Sequence, residues 1–103
     1  MTILIHTDCD QDLNVAFGVI CNSLTKDSSF LINKHTIKID YRAMVIDDHI
    51  KIIFYSGNVD KISEMDFDYF CACSIEACSF FSEKGITELH LLNDVIMKVK
   101  EYM

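Results

Sequence analysis

The sequence predicts an α+β domain: an antiparallel sheet of about four strands over residues 2–55, then two helices, 67–83 and 88–102, packed on one face of that sheet. Before Ser56, apolar and polar residues tend to alternate, as they do in half-buried strands. After Asp66, apolar residues recur every three or four positions, as they do in amphipathic helices. The chain has 103 residues, so we expect a single domain over 1–103.

The strand predictions rest on short segments rich in β-branched residues. Residues 2–7 form the first, and the alternation over 37–40 indicates another. Residues 43–46 and 49–55 flank Asp47-Asp48, which predicts a hairpin with a two-residue turn. The run 50–55 is the best strand former of the chain, and we expect it near the centre of the sheet.

Residues 13–22 fit two patterns. Strict alternation from Leu13 to Cys21 favours a strand, whereas Asp12 as an N-cap before Leu13, Ala16 and Ile20 favours a helix. A central glycine and two valines lead us to predict a strand.

The helix predictions rest on caps and apolar stripes. Asp66 is the predicted N-cap of the first helix, and Gly85 is placed just beyond its C-terminus. Thr87 is the predicted cap of the second helix. That helix carries an apolar stripe: Leu89, Leu92, Ile96, Val99 and Met103.

Composition excludes several classes of function. The formal net charge is −7, which argues against direct binding to nucleic acid or to an anionic membrane. No apolar run reaches the ~18–20 residues of a transmembrane helix, and the N-terminus does not resemble a secretory signal. The five cysteines are an odd number, so we predict reduced thiols and a cytoplasmic location. Residues with AT-rich codons dominate, which suggests a bacteriophage or a low-GC bacterium as the source.

An acidic turn follows the first predicted strand. Asp8, Asp10 and Asp12 have the spacing that opens an EF-hand loop, but Leu13 stands where the loop needs glycine and Val19 where it needs glutamate. We therefore predict no metal and no cofactor. The turn remains a candidate surface for a partner.

Charge, size and the lack of a complete catalytic set predict a small acidic binding protein that is not an enzyme. We expect its partner to be a host protein with a basic surface, which makes it a candidate phage-encoded inhibitor or nucleic-acid mimic in the host cytoplasm. Its predicted binding residues are acidic: Asp8, Asp10, Asp12, Asp47, Asp48, Asp60, Glu64, Asp66 and Asp68. Membrane binding is not expected, and a homodimer or larger homo-oligomer formed through the last helix is an alternative.

A second alternative comes from the order of features up to about residue 60. Thr2 follows Met1, Lys34 follows an asparagine, Ser56-Gly57 ends a strand, and Asp60 comes shortly after. This order resembles the N-terminal half of proteasome- and HslV-like N-terminal-nucleophile hydrolases. The resemblance implies Thr2 as the nucleophile, freed by removal of Met1, and Lys34 as the lysine of the family's motif.

The sequence departs from that family at three points. Ile3 stands where the family's Thr-Thr start has its second threonine, and Leu13–Cys21, the counterpart of the family's second strand, lacks its aspartate. No residues remain for a second sheet. The resemblance therefore implies a truncated relative without peptidase activity.

Overall fold

The computed structural model describes residues 1–40, 42–58 and 66–103, apart from the side chains of Ser29 and Leu31. Within these residues the chain forms six strands and four helices. They are, in order, β1 (Thr2–Thr7), α1 (Asp10–Thr25), α2 (Ser28–Ile32), β2 (Ile37–Asp40), β3 (Ala43–Ile46), β4 (Ile50–Ser56), β5 (Tyr69–Ala72), α3 (Ile75–Glu83), β6 (Thr87–Glu88) and α4 (Leu92–Tyr102).

The strands form one mixed sheet in the order β2-β3-β4-β1-β5-β6. β1 pairs in parallel with β4 and β5, and β5 pairs in parallel with β6. Among the described strands, only β2, β3 and β4 are joined by antiparallel pairs. The α+β character is confirmed, but the prediction of a four-stranded antiparallel sheet is wrong. Parallel pairing fits the long connection through α1, since adjacent parallel strands need a crossover of a dozen or more residues.

The hairpin between β3 and β4 is confirmed, with Asp47 and Asp48 at its turn. Both residues have positive φ angles, 53° and 61°, and the His49 N–H donates to the Ile46 carbonyl at 3.1 Å. Two central residues with positive φ characterise the type I′ turn that suits the twist of a hairpin. Aspartate tolerates this conformation better than most residues, although glycine and asparagine adopt it more readily.

Helices cover both faces of the sheet. Successive residues of a strand point to opposite faces, so Ile3 and Ile5 of β1 face one side and Leu4 faces the other. Ile3 and Ile5 belong to the larger apolar core, which includes buried residues of α1 and α4. Leu4 packs in a smaller core with Phe70 of β5 and Phe81 of α3. The predicted packing of the last two helices on one face is therefore wrong.

Residues 13–22 lie within α1, so the predicted strand is wrong. The buried residues of α1 are Leu13, Ala16, Ile20 and Leu24, which repeat with helical spacing. Val15 and Val19, which produced the apparent alternation, are exposed. Burial of a helical face outweighs the intrinsic preferences of single valines and a glycine, since those preferences amount to less than about 1 kcal/mol each.

The predicted helix over 67–83 is two elements, β5 and α3. Four consecutive apolar residues, Tyr69–Ala72, pair with β1, and Phe70 and Cys71 are buried there. A short apolar run fits a buried parallel strand as well as it fits a helix. Ser74, not Asp66, is the N-cap of α3, and its hydroxyl accepts the Ala77 N–H at 3.1 Å.

The end of α3 agrees with the sequence, because Gly85 follows the helix with a φ of 78°. Thr87 lies in β6 instead of capping a helix, and α4 begins only at Leu92. The Asp94 carboxylate accepts the Leu91 N–H at 3.0 Å and so stabilises this helix start. The apolar stripe of α4 packs against the larger core, where Val99 is fully buried.

Candidate binding site at the carboxyl edge of the sheet

Three parallel strands, β1, β4 and β5, end at the same edge of the sheet, which we call the carboxyl edge. Thr7 pairs with Ser56 there, and His6 pairs with Ala72 on the other side. The chain leaves β1 through α1 on one face and leaves β5 through α3 on the opposite face. In open α/β sheets, ligands bind in the crevice that such a divergence opens outside the carboxyl ends of the strands.

The acidic turn lies at this edge, with Asp8, Asp10 and Asp12 all exposed. Asp10 and Asp12 occupy the first turn of α1, where negative charge interacts favourably with the helix dipole. Each carboxylate lines a different depression: Asp12 an apolar cavity, Asp8 a polar cleft, and Asp10 a groove beside Arg42.

Asp10 is held in place by β4 and by the residue that precedes β3. Its Oδ1 accepts hydrogen bonds from the Ser56 hydroxyl and, at 3.0 Å, from the Arg42 guanidinium. The Ser56 hydroxyl and the positive charge of Arg42 hold the pKa of the Asp10 carboxyl below its ordinary value. Arg42 is thus an ion-pair partner that connects the start of α1 to the rest of the edge.

An apolar cavity of about 310 Å³ lies between the ends of β1 and β5, below the starts of α1 and α4. Its wall is mostly apolar and includes Ile5, Val15, Ala16, Cys71, Ala72, Leu91 and Leu92. Its polar lining residues are His6, Thr7, Asp12, Cys73 and His90. A space of this size exceeds an engineered cavity of roughly 150 Å³ that binds benzene.

A polar cleft of about 310 Å³ also opens at this edge, lined by residues that include His6, Asp8, Ser74 and Glu76. His6 is only 4% exposed, and its Nε2 lies 2.7 Å from the Gly57 carbonyl oxygen. A carbonyl oxygen only accepts, so this nitrogen carries the hydrogen. The other ring nitrogen, Nδ1, is buried and has no hydrogen-bond partner within the described parts of the chain.

Four cysteines lie on or near this edge: Cys9 is exposed in the acidic turn, and the thiols of Cys71, Cys73 and Cys78 are held in the protonated form. Burial raises the pKa of Cys71 to about 11. Partial burial and a hydrogen bond to the Glu88 carboxylate raise the pKa of Cys78 to about 11. Partial burial, joined by the negative charge of Asp8, also raises the pKa of Cys73. Since the thiolate is the reactive form of cysteine, these three thiols are poor nucleophiles near neutral pH.

The other predicted binding residues do not join this site. Asp47, Asp48 and Asp68 lie at the opposite edge, where β1, β4 and β5 begin; we call this the amino edge. Exposed Asp66 lies in the same stretch of chain, just before β5. Asp60 and Glu64 fall outside the described residues. The predicted binding residues that the structure describes are therefore divided between two edges of the sheet.

Most carboxylates of the amino edge bind groups of their own chain. Asp47 binds the Thr36 N–H at 2.9 Å and the His35 imidazole at 2.6 Å. Asp48 pairs with Lys38 at 2.9 Å, and Asp68 accepts the Thr2 N–H at 2.9 Å. These contacts connect the hairpin and strand ends of this edge to neighbouring segments.

The two residues that the hydrolase resemblance singles out lie in different parts of the chain. Thr2 is the first residue of β1 and pairs with Lys51 at the amino edge. Lys34 follows α2 in a turn and has a positive φ of 57°. The resemblance to N-terminal-nucleophile hydrolases stays a prediction.

Sequence reasoning missed the apolar cavity and the buried His6. The available signal was the run Ile3–Ile5, continuously apolar as in a strand buried on both faces. Reading that run as a parallel strand would have placed the Asp8–Asp12 turn at a carboxyl edge.

Within the described ranges, no group of three or more histidine, cysteine or acidic side chains is arranged to hold a metal ion.

Comparison with known proteins gives no relative: no protein-family model, curated protein or solved structure matches the chain. Among the described helices, none is long and apolar enough to cross a membrane. Inferences about function therefore rest on the geometry of the chain itself.

Proposed function

We propose that the chain is a non-catalytic binding protein whose carboxyl edge docks onto a basic surface of a partner protein. The observation that carries this proposal is the exposed acidic turn beside an apolar cavity. Protein interfaces typically combine apolar contacts at their centre with polar or charged residues at their rim. The carboxyl edge offers both within one region of the surface.

The contrast between the two edges favours this location. At the amino edge, Asp47, Asp48 and Asp68 already bind groups of their own chain. At the carboxyl edge, Asp10 is bound in the same way, whereas Asp8 and Asp12 line depressions open to a partner, and Asp8 contacts only the uncharged Cys73 thiol among the described side chains. A basic partner would relieve the repulsion among these neighbouring carboxylates on binding.

The chemistry of the carboxyl edge supports binding over catalysis. The thiols of Cys71, Cys73 and Cys78 have raised pKa values, so they are poor nucleophiles. The Nε2–H of His6 is taken by the Gly57 carbonyl, so the imidazole has only its buried Nδ1 to offer to a ligand.

The sequence suggested two kinds of acidic binding protein, an inhibitor and a nucleic-acid mimic. The geometry favours the inhibitor. A mimic presents carboxylates in an extended row that follows the spacing of phosphates. Here the acidic segments lie at opposite edges of the sheet, and several of their charges are paired. A phage source rests on composition alone.

The test compares two double variants that remove the same charge from different edges. Asp8→Asn with Asp12→Asn acts on the carboxyl edge, and Asp48→Asn with Asp66→Asn acts on the amino edge. The wild type and each variant are immobilised and used to capture partner proteins from a lysate of a candidate host. The captured protein is then purified, and its association rate with each is measured at two salt concentrations.

We expect the carboxyl-edge variant to bind the purified partner about tenfold more slowly at low salt, with a smaller effect at high salt, because screening reduces electrostatic steering. The amino-edge variant should retain most of the wild-type association rate. Equal losses in both variants, or no loss in either, would contradict the proposal.

A further inference from the structure

The apolar cavity at the carboxyl edge is a space that the described residues leave open. Its mouth is edged by exposed apolar side chains, since Val15 is 60% exposed and Leu91 is 65% exposed. Both would be buried by a partner seated over the cavity. Val15 lies in α1 and Leu91 immediately precedes α4, so the apolar mouth is created by the fold and not by one amphipathic segment.

We infer that this cavity receives one apolar side chain of the partner protein, and that lysine or arginine neighbours that side chain in the partner's sequence. The inference rests on the proposed function and names the chemistry that the partner must present. It assigns separate roles to the two features of the edge. The cavity binds the partner's apolar side chain, which we call the anchor, and the acidic turn binds the cationic side chains beside it.

The size of the cavity suits a single side chain. Its volume of about 310 Å³ is at the lower end of the ~300–1,000 Å³ typical of small-molecule and cofactor sites. The cavity has about twice the volume of an engineered cavity that binds benzene, so a leucine or phenylalanine side chain fits in it. Anchors of this kind, buried in a pocket near the centre of an interface, carry much of the binding energy in protein complexes.

The charge of the lining selects the flanking residues. Asp12 is part of the cavity wall, and Asp8 and Asp10 lie in the same turn. The formal net charge of the chain is −7, so an acidic segment would be repelled as it approached. Because the Arg42 guanidinium already binds Asp10, Asp12 and Asp8 are the carboxylates that meet the partner's cations.

Three short peptides separate the two roles. Acetyl-Lys-Leu-Lys-amide carries both an anchor and cations, acetyl-Lys-Gly-Lys-amide carries only the cations, and acetyl-Glu-Leu-Glu-amide carries the anchor with the opposite charge. Each is titrated into the full-length ¹⁵N-labelled chain at low salt, and backbone amide shifts give the affinity and the location of binding.

We expect the leucine-containing basic peptide to bind about tenfold more tightly than its glycine counterpart, as partial burial of one leucine side chain would give. Its shifts should include Val15, Cys71 and Leu91, whereas those of the glycine peptide should centre on Asp8 and Asp12. The acidic peptide should bind more weakly than either.

Matched variants test the cavity itself. Val15→Asn and Leu91→Asn each remove an apolar side chain from the mouth, and Val19→Asn makes the same change one helical turn away at a residue that does not line the cavity. Each mouth variant should lose most of the preference for leucine over glycine, and Val19→Asn should retain it. All three positions are exposed, so the folded state should tolerate these changes, which thermal unfolding verifies.

The outcomes separate this inference from the proposed function. Equal affinity for the leucine and glycine peptides would overturn the anchor and leave the acidic docking edge intact. If neither basic peptide binds at millimolar concentration, both the anchor and the docking edge are wrong. Concentration-dependent broadening around Val15 and Leu91 before any peptide is added would show that a second copy fills the cavity, which would also overturn the anchor.

Discussion

The two edges of the central sheet use the same residue type for different purposes. At the amino edge, aspartates bind backbone N–H groups and basic side chains of their own chain, as Asp47 and Asp68 do. At the carboxyl edge, Asp8 and Asp12 are exposed beside open depressions, and Asp10 is tied to Arg42. A carboxylate therefore indicates a binding surface only when the described parts of the chain leave its charge without a cationic or backbone N–H partner.

The largest expected effect on stability is at Asp47. Replacing it with alanine removes the acceptors for the Thr36 N–H and the His35 imidazole, and alanine also disfavours the positive φ at this position. We expect Asp47→Ala to lower the free energy of unfolding by about 2 kcal/mol, measured by urea denaturation. Asp47→Asn, which keeps one acceptor oxygen and tolerates positive φ, should lose about half as much. A loss below about 0.5 kcal/mol in the alanine variant would contradict the structural role of this carboxylate.

Acid should weaken the amino edge through the same residue. Partial burial acts against the ionised Asp47 carboxylate, but the Thr36 N–H and the His35 imidazole outweigh it and hold the pKa of Asp47 below its ordinary value. A carboxyl with a lower pKa in the folded state contributes stability above the unfolded pKa of about 3.9, and that contribution is lost as pH falls through the folded pKa.

We therefore expect urea unfolding between pH 5 and pH 3 to show a steeper loss of stability in the wild type than in Asp47→Asn. Asp10 also has a lowered pKa, because of Ser56 and Arg42, and it adds an acid-dependent contribution at the other edge. Parallel pH curves for the wild type and Asp47→Asn would show that Asp47 titrates as it does in the unfolded chain.

A smaller effect, of opposite sign, is expected at the neighbouring Asp48. Its φ of 61° favours glycine, and its ion pair with Lys38 is exposed on both sides. Asp48→Gly should raise the free energy of unfolding by about 0.5 kcal/mol, since relief of the strained backbone exceeds the loss of a surface ion pair. Asp48→Ala loses the same ion pair without relieving the backbone, so it should be less stable than the wild type. A glycine variant no more stable than the alanine variant would rule out strain at this turn.

Sequence patterns predicted the local elements that form from neighbouring residues. Residues 2–7, the hairpin at Asp47-Asp48 and the glycine after α3 match the structure because strand formers and turn residues act over short distances. The parallel pairing of the sheet was missed because it depends on two assignments: residues 13–22, where α1 provides the crossover that parallel strands need, and Tyr69–Ala72, which form β5 instead of a helix.

Of the candidate site, only the negative charge of the acidic turn could be predicted from the sequence. The acidic turn is visible in the sequence, but Val15, Cys71 and Leu91 come from three distant segments of the chain that meet only in the folded state. The pairing of Asp47 with His35 likewise depends on how α2 and the hairpin are arranged. Side chains that come together at one edge of the sheet only through tertiary packing produce no periodic pattern in the sequence.

The smallest expected effect on stability is at Asp12, and it is the sharpest test of the difference between the edges. Asp12 is exposed on the first turn of α1 and lines the mouth of a cavity, so its carboxylate mainly interacts with the helix dipole and with neighbouring acids. The favourable dipole interaction and the repulsion from Asp8 and Asp10 have opposite signs and similar size, a few tenths of a kcal/mol each. Asp12→Asn should therefore change the free energy of unfolding by less than about 0.5 kcal/mol in urea denaturation at neutral pH. The same substitution should slow association with a basic partner, so it separates binding from folding at one residue. A destabilisation as large as that of Asp47→Ala would show that the carboxyl edge uses its charge to hold the fold, as the amino edge does.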